Sequence, residues 1–126
     1  DYQGAQYIGG AIFETHIDLT HPINFGYADQ KLPVFKKGTT FMQPSKNQYA
    51  TPQVFTSDPL LSGYISAENL AVLAGSANVI VSGIGKGKVI SMGNHPNFRA
   101  FWFGTNKMLA NAVFFGNLID SGAVER

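Results

Sequence analysis

Apolar and polar positions alternate along the first strong stretch of the chain, residues 11–19. Phe13, Thr15, Ile17 and Leu19 fall on one side, and Ile12, Glu14, His16 and Asp18 on the other, which predicts a half-buried strand. The segment from Thr20 to Tyr27 breaks it with Pro22 and Gly26. Residues 32–35 and 39–42 read as short strands around Lys36, Lys37 and Gly38. Pro33 has no N–H to give a ladder, so the first of these belongs at a sheet edge or is irregular. Across 43–63 the signals are mostly those of a loop, with Pro44, Pro52 and Pro59 among Ser, Asn, Gln and Thr. Only a short strand at 53–56 fits there. So long an irregular connection points to a functional role or to packing on a partner.

Ser66 has the chemistry of an N-cap, with Glu68 in the first turn and Gly75 past the end. A short helix over 67–74, burying Leu70 and Leu73, follows. Residues 77–84 and 88–92 carry continuous apolar runs, which predict two strands covered on both faces. Gly85-Lys86 between them is a hairpin signal. The last helix is predicted over 97–115. Phe98, Phe101, Trp102, Thr105, Met108, Leu109, Ala112 and Val113 form one wide apolar face, and Phe103, Ala110 and Phe114 lie off it. A helix apolar nearly all round in so small a unit calls for material from outside the segment to cover it.

The 126 residues fit one domain, and 44% hydrophobic residues suffice for a core. The net charge of +1 and the lack of a Lys/Arg cluster argue against binding nucleic acid or anionic membranes. No apolar stretch is long enough to span a bilayer. Cysteine is absent, which removes thiolate metal sites and a cysteine nucleophile from this segment. A start at Asp1, without Met or signal segment, reads as a cut from a longer protein or a processed product.

Glu14, His16 and Asp18 stand in a row at about 7 Å steps on one strand face, and could supply metal ligands or a base with its orienting carboxylate. The polar outer face of a half-buried strand is the simpler explanation, since a zinc site needs further ligands and only His21 and His95 remain as histidines. His21, in its turn, is a candidate ligand or proton carrier, or else a cap at the strand end. Residues 83–88 resemble a phosphate loop only superficially: the Ser/Thr after Lys86 and a following helix are missing, and a hairpin turn explains the glycines. There is no Gly-x-Ser-x-Gly elbow and no His-Glu-x-x-His pair. Ser62 comes nearest to an exposed turn serine. His95, Asn97, Arg99 and Trp102 remain. They flank the expected start of the last helix, where free N–H groups favour an anion, so a small anion or a sugar could bind there.

An ordered series of short motifs adds a resemblance. Gly10-Ala11-Ile12-Phe13-Glu14, Asp18-Leu19-Thr20-His21-Pro22, Gly26-Tyr27, the run from Pro59 to Ser66, the run from Gly85 to Ile90, Asn97-Phe98-Arg99, Gly104-Thr105 and Asn111-Ala112 together resemble the C-terminal region of large bacterial zinc carboxypeptidases. In that family a metallopeptidase domain precedes a domain similar to class I glutamine amidotransferases. The resemblance covers nearly the whole chain. It implies a β-rich α/β fold, a mixed sheet with few helices, like the latter half of a flavodoxin-type domain.

The family's zinc ligands and catalytic glutamate lie in the peptidase domain, and none can be placed on this chain. True amidotransferases pair a cysteine with a His-Pro-Glu segment, whereas here Asn97 follows His95-Pro96. An amide cannot balance an imidazolium as a carboxylate does, so the triad logic fails. The resemblance therefore implies a non-catalytic accessory domain, 1–126, of a secreted or periplasmic enzyme. No cofactor is expected in this segment, and zinc belongs to the peptidase domain. The expected partner is that domain, or a second copy through the aromatic helix. An old hydrolase site at Glu14, His16 and His21 is a further alternative.

Overall fold

The computed structural model describes residues 6–100 and 103–125. Its first strand, β1 (Ala11–Ile17), keeps the alternation: Ala11, Phe13, Thr15 and Ile17 are buried, Ile12 and Glu14 half-buried, and His16 exposed. The strand stops short of Leu19 because Asp18 turns the chain. Its Oδ1 accepts from the Thr20 backbone N–H at 2.9 Å and from the Thr20 hydroxyl at 2.6 Å, an Asx turn that competes with strand pairing.

The remaining elements are β2 (Lys31–Lys36), β3 (Gln53–Ser62), α1 (Ala67–Leu73), β4 (Ala77–Ile84), β5 (Gly87–Met92) and α2 (Phe103–Phe115). The strands form a five-stranded sheet in the order β2-β1-β3-β4-β5. The fold is β-rich with few helices, as expected. The sheet is not mixed, however: among the described residues every ladder is antiparallel, and the one parallel contact is a bridge between Ser82 and Glu125. Parallel neighbours need long crossovers, whereas β4 and β5 are joined by two residues. In that hairpin only Gly85 has positive φ, the pattern of a type II′ turn.

Pro33 lies in the edge strand β2, opposite Glu14 of β1, where its missing N–H costs the sheet nothing. The expected strand at 39–42 is absent but for one bridge, Met42 to Ala77. Instead the Lys36 ammonium takes the Thr40 carbonyl at 2.7 Å. The loop over 43–63 is also shorter than predicted. β3 runs ten residues from Gln53 and lies mid-sheet. It accommodates Pro59 because its pairing with β1 slips there: Thr15 faces Phe55 while Phe13 faces Leu60, so the intervening residues bulge out of the ladder. Just beyond β3, Gly63 (φ +101°) packs so tightly that a Cβ would lie 2.8 Å from that of Ala11.

α1 begins as predicted and ends one residue early, with Ala74 as its C-cap. Ser66 accepts from the Asn69 N–H, and Gly75 beyond it has φ +74°. Leu73 is buried and Leu70 half-buried. The largest core patch joins Ile8, Phe13, Ile17, Val34, Phe55 and Leu73. A second joins Ile23, Val79 and Met108 beneath α2, and a third joins Val81, Ile119 and Val124. Double coverage fails for β5: it is the outer strand, and Val89 is 45% exposed.

α2 starts at Phe103 rather than near Asn97. Phe98–Ala100 forms a separate tight turn in which Arg99 adopts φ 51°, ψ 20°, a left-handed conformation that no helix can continue through. The Thr105 hydroxyl donates to the Pro96 carbonyl at 2.7 Å and folds this segment onto the helix start. The inward face of α2 is Thr105, Met108 and Asn111; Val113, expected inside, is 72% exposed, and Phe114 is 78% exposed. No helix among the described residues is long and apolar enough to cross a membrane.

Candidate functional site

The turn after β1 carries the most constrained polar chemistry. His21 precedes the short turn Pro22–Asn24 and caps it: its Nδ1 accepts from the Ile23 N–H at 3.2 Å. His21 is thus a cap, but of this turn rather than of the strand end at Ile17, and it is only 5% exposed. Accepting at Nδ1 leaves the proton of a neutral ring on Nε2, and Nε2 is buried without a partner. Asn24 fixes the turn from the other side, donating to the carbonyls of Asp18 and Pro52 at 2.8 and 3.1 Å. From α2, Asn111 donates to the carbonyls of Ile23 and Phe25, both at 2.9 Å.

Two adjoining hollows of about 530 and 310 Å³ flank His21 and share Thr20, His21, Pro22 and Leu118. The larger adds Asp18, Tyr49 and Asp120, and the smaller adds Leu19, Phe25 and Phe115. The Phe25 and Phe115 rings meet edge-on, 5.3 Å between centroids.

Burial holds the His21 pKa below its ordinary value of 6.5, against the opposing pull of the Asp18 carboxylate. The folded state therefore binds this proton less readily than the unfolded chain. The contribution of His21 to stability is complete above pH 6.5 and is lost as pH falls from there through the folded pKa. Protonation also puts a hydrogen on Nδ1, opposite the Ile23 N–H. Thermal melts are expected to show stability falling below pH 6.5. His21→Asn, which can still accept from Ile23, should flatten that limb.

The other sequence candidates are dispersed. Glu14 pairs with Lys31 at 3.2 Å, His16 is exposed, and Asp18 is engaged by Thr20. Among the described residues no group of three His, Asp or Glu side chains could hold a metal ion. The Glu14, His16 and His21 alternative therefore lacks the convergence a metal site needs. His95, Asn97 and Arg99 are exposed on the segment before α2. The His95 N–H donates to the Phe35 carbonyl at 2.9 Å, and its ring meets Phe35 edge-on at 6.0 Å. Phe98 stacks on Phe35 at 3.9 Å, with the Arg99 guanidinium 5.3 Å from the Phe98 ring centre. The late start of α2 places the helix terminus beyond Arg99. Trp102 lies outside the described residues.

Sequence reasoning missed a chain of buried amides. Gln53 donates to Asn24 at 2.6 Å and accepts from Asn78 at 2.9 Å, and all three side chains are at most 1% exposed. It also missed Lys36, 1% exposed, whose ammonium donates to the carbonyls of Thr40 and Gly93 and lies 5.5 Å from the centre of the Phe41 ring. Burial lowers its pKa. Tyr27, pushed up to about 12 by burial, donates to the Gly104 carbonyl at 2.7 Å. The only sequence signal for these groups is their polarity inside otherwise apolar segments.

No protein-family model matches the chain, and neither a curated protein nor a solved structure matches it significantly.

Proposed function

We propose that this chain is a non-catalytic accessory domain of a secreted or periplasmic zinc metallocarboxypeptidase, supporting the peptidase domain or positioning its peptide substrate. The reading includes kinship with the latter half of a flavodoxin-type, amidotransferase-like domain. It rests on the ordered motif series from Gly10 to Ala112. The observation that carries it is the outer side of α2. Val113 and Phe114 are 72% and 78% exposed. Adjacent apolar side chains left so bare mark a surface made to be covered. A domain of the same polypeptide is the proposed cover.

The coding sequence upstream of Asp1 supplies the test. A His-x-x-Glu pair with a later histidine is expected, and the full polypeptide should release C-terminal residues from peptides in the presence of zinc. Phe114→Asp in that polypeptide should lower its melting temperature. An upstream sequence without such a pair would refute the reading. If the isolated chain instead sediments as a dimer that Phe114→Asp dissolves, the cover is a second copy.

A second reading, a small-anion or sugar-binding module at His95, Asn97, Arg99 and Trp102, is favoured by one feature. Arg99 is the only non-glycine with positive φ among the described residues, and such strain gathers at ligand sites. Thermal shifts with phosphate and simple glycans, abolished in Arg99→Gly, would support it.

A further inference from the structure

We propose that the trough over Thr20, His21 and Pro22 binds a peptide in which an aromatic residue adjoins a basic one. The inference does not depend on the peptidase reading, because it stands on this surface alone. The two ends of the trough differ in chemistry. The smaller hollow is walled by Leu19, Phe25 and Phe115, an apolar seat whose edge-on ring pair leaves aromatic faces for a third ring. The larger hollow brings together Asp18, Asp120 and Tyr49.

Both carboxylates bond to neutral donors: Asp18 to Thr20, and Asp120 to the Gly122 N–H at 2.7 Å. Among the described residues neither forms an ion pair, so negative charge collects at that end. A cation there gains two carboxylates and the exposed Tyr49 ring.

His21 lines both hollows and stands between these ends. Its Nε2–H is buried without an acceptor, a costly state that a carbonyl oxygen would relieve where the trough wall yields enough to admit one. A peptide supplies that carbonyl between its two side chains, with an aromatic group on one side and an ammonium or guanidinium on the other. An anionic ligand is disfavoured by Asp18 and Asp120. The size also agrees, since the smaller hollow alone reaches the lower range of volumes that hold small organic groups.

The test is nitrogen-edited NMR of the intact chain, titrated with three blocked dipeptides: acetyl-phenylalanyl-lysine amide, acetyl-phenylalanyl-glutamate amide and acetyl-glycyl-lysine amide. The first is expected to shift the His21 imidazole nitrogens and the Thr20 and Ile23 amides, and to bind more tightly than the other two. Asp120→Asn keeps the cap on Gly122 and removes the charge. It should weaken the lysine peptide about threefold and leave the glutamate peptide no weaker. Phe115→Ala should weaken the same peptide about tenfold. Equal binding of the lysine and glutamate peptides, or shifts that avoid His21, would overturn the proposal. So would the absence of any shift at millimolar peptide in a chain whose spectrum is that of a folded protein.

Discussion

Replacing Gln53 with leucine is expected to lower the unfolding free energy by about 4 kcal/mol, although the new side chain is apolar and similar in size. Gln53 is fully buried and bridges Asn24 and Asn78. Leucine would leave the Asn24 carbonyl oxygen and the Asn78 amide nitrogen without that partner. Each buried group so deprived costs about 1–3 kcal/mol. The Asn78 oxygen is already unpartnered, so the site has little reserve. Urea unfolding with an unchanged m-value is the measurement. The double variant Gln53→Leu/Asn78→Leu should cost less than the sum of the two singles, because the second change removes one of the orphaned groups. A loss below about 1 kcal/mol in Gln53→Leu would mean that water replaces the lost bonds freely.

Phe13→Ala is expected to cost about 4 kcal/mol by the opposite route, the emptying of an apolar site. Phe13 is wholly buried and meets Phe55 edge-on, 6.1 Å between centroids and 87° between planes. Ile8, Val34 and Leu73 belong to the same patch, contributed by a loop, a strand and a helix. Such a site cannot close up by moving one element alone, so the cavity persists. Phe13→Leu should restore most of the loss, leaving about 1 kcal/mol. Equal losses in the two variants would indicate that ring packing, not volume, is what this site requires.

The parts legible in the sequence were those whose cause is local. The alternation in β1, the Ser66 cap and the Gly85 turn each need only a few neighbouring residues, and each stands where predicted. Pro33 also spoke clearly, because a missing N–H has one consequence in any sheet. β3 was under-read because Pro59 normally excludes a central strand. The slip in pairing that admits it involves β1, more than forty residues away. α2 was over-read for a similar reason: periodicity continued back through Phe98, while the stacking of Phe98 on Phe35 and the backbone of Arg99 set a different path. Of the candidate site, the capping role of His21 was visible. Its burial was not, nor were the amides around it: Gln53, Asn78 and Asn111 stand only as polar residues inside predicted strands and helix, Asn24 lies in a turn, and nothing local pairs them until the fold brings them together.

The fastening of α2 to the chain after β1 sets what sequence drift can do there. Asn111, Lys107 and the Tyr27 hydroxyl all grip main-chain oxygens: those of Ile23 and Phe25, of Gly26, and of Gly104. A clasp made to carbonyls is indifferent to which side chains the clasped residues carry. The clasp itself therefore makes no demand on the Phe25 side chain, whose ring is left to meet Phe115 at the trough, while a single inserted or deleted residue between Ile23 and Tyr27 would unfasten the helix.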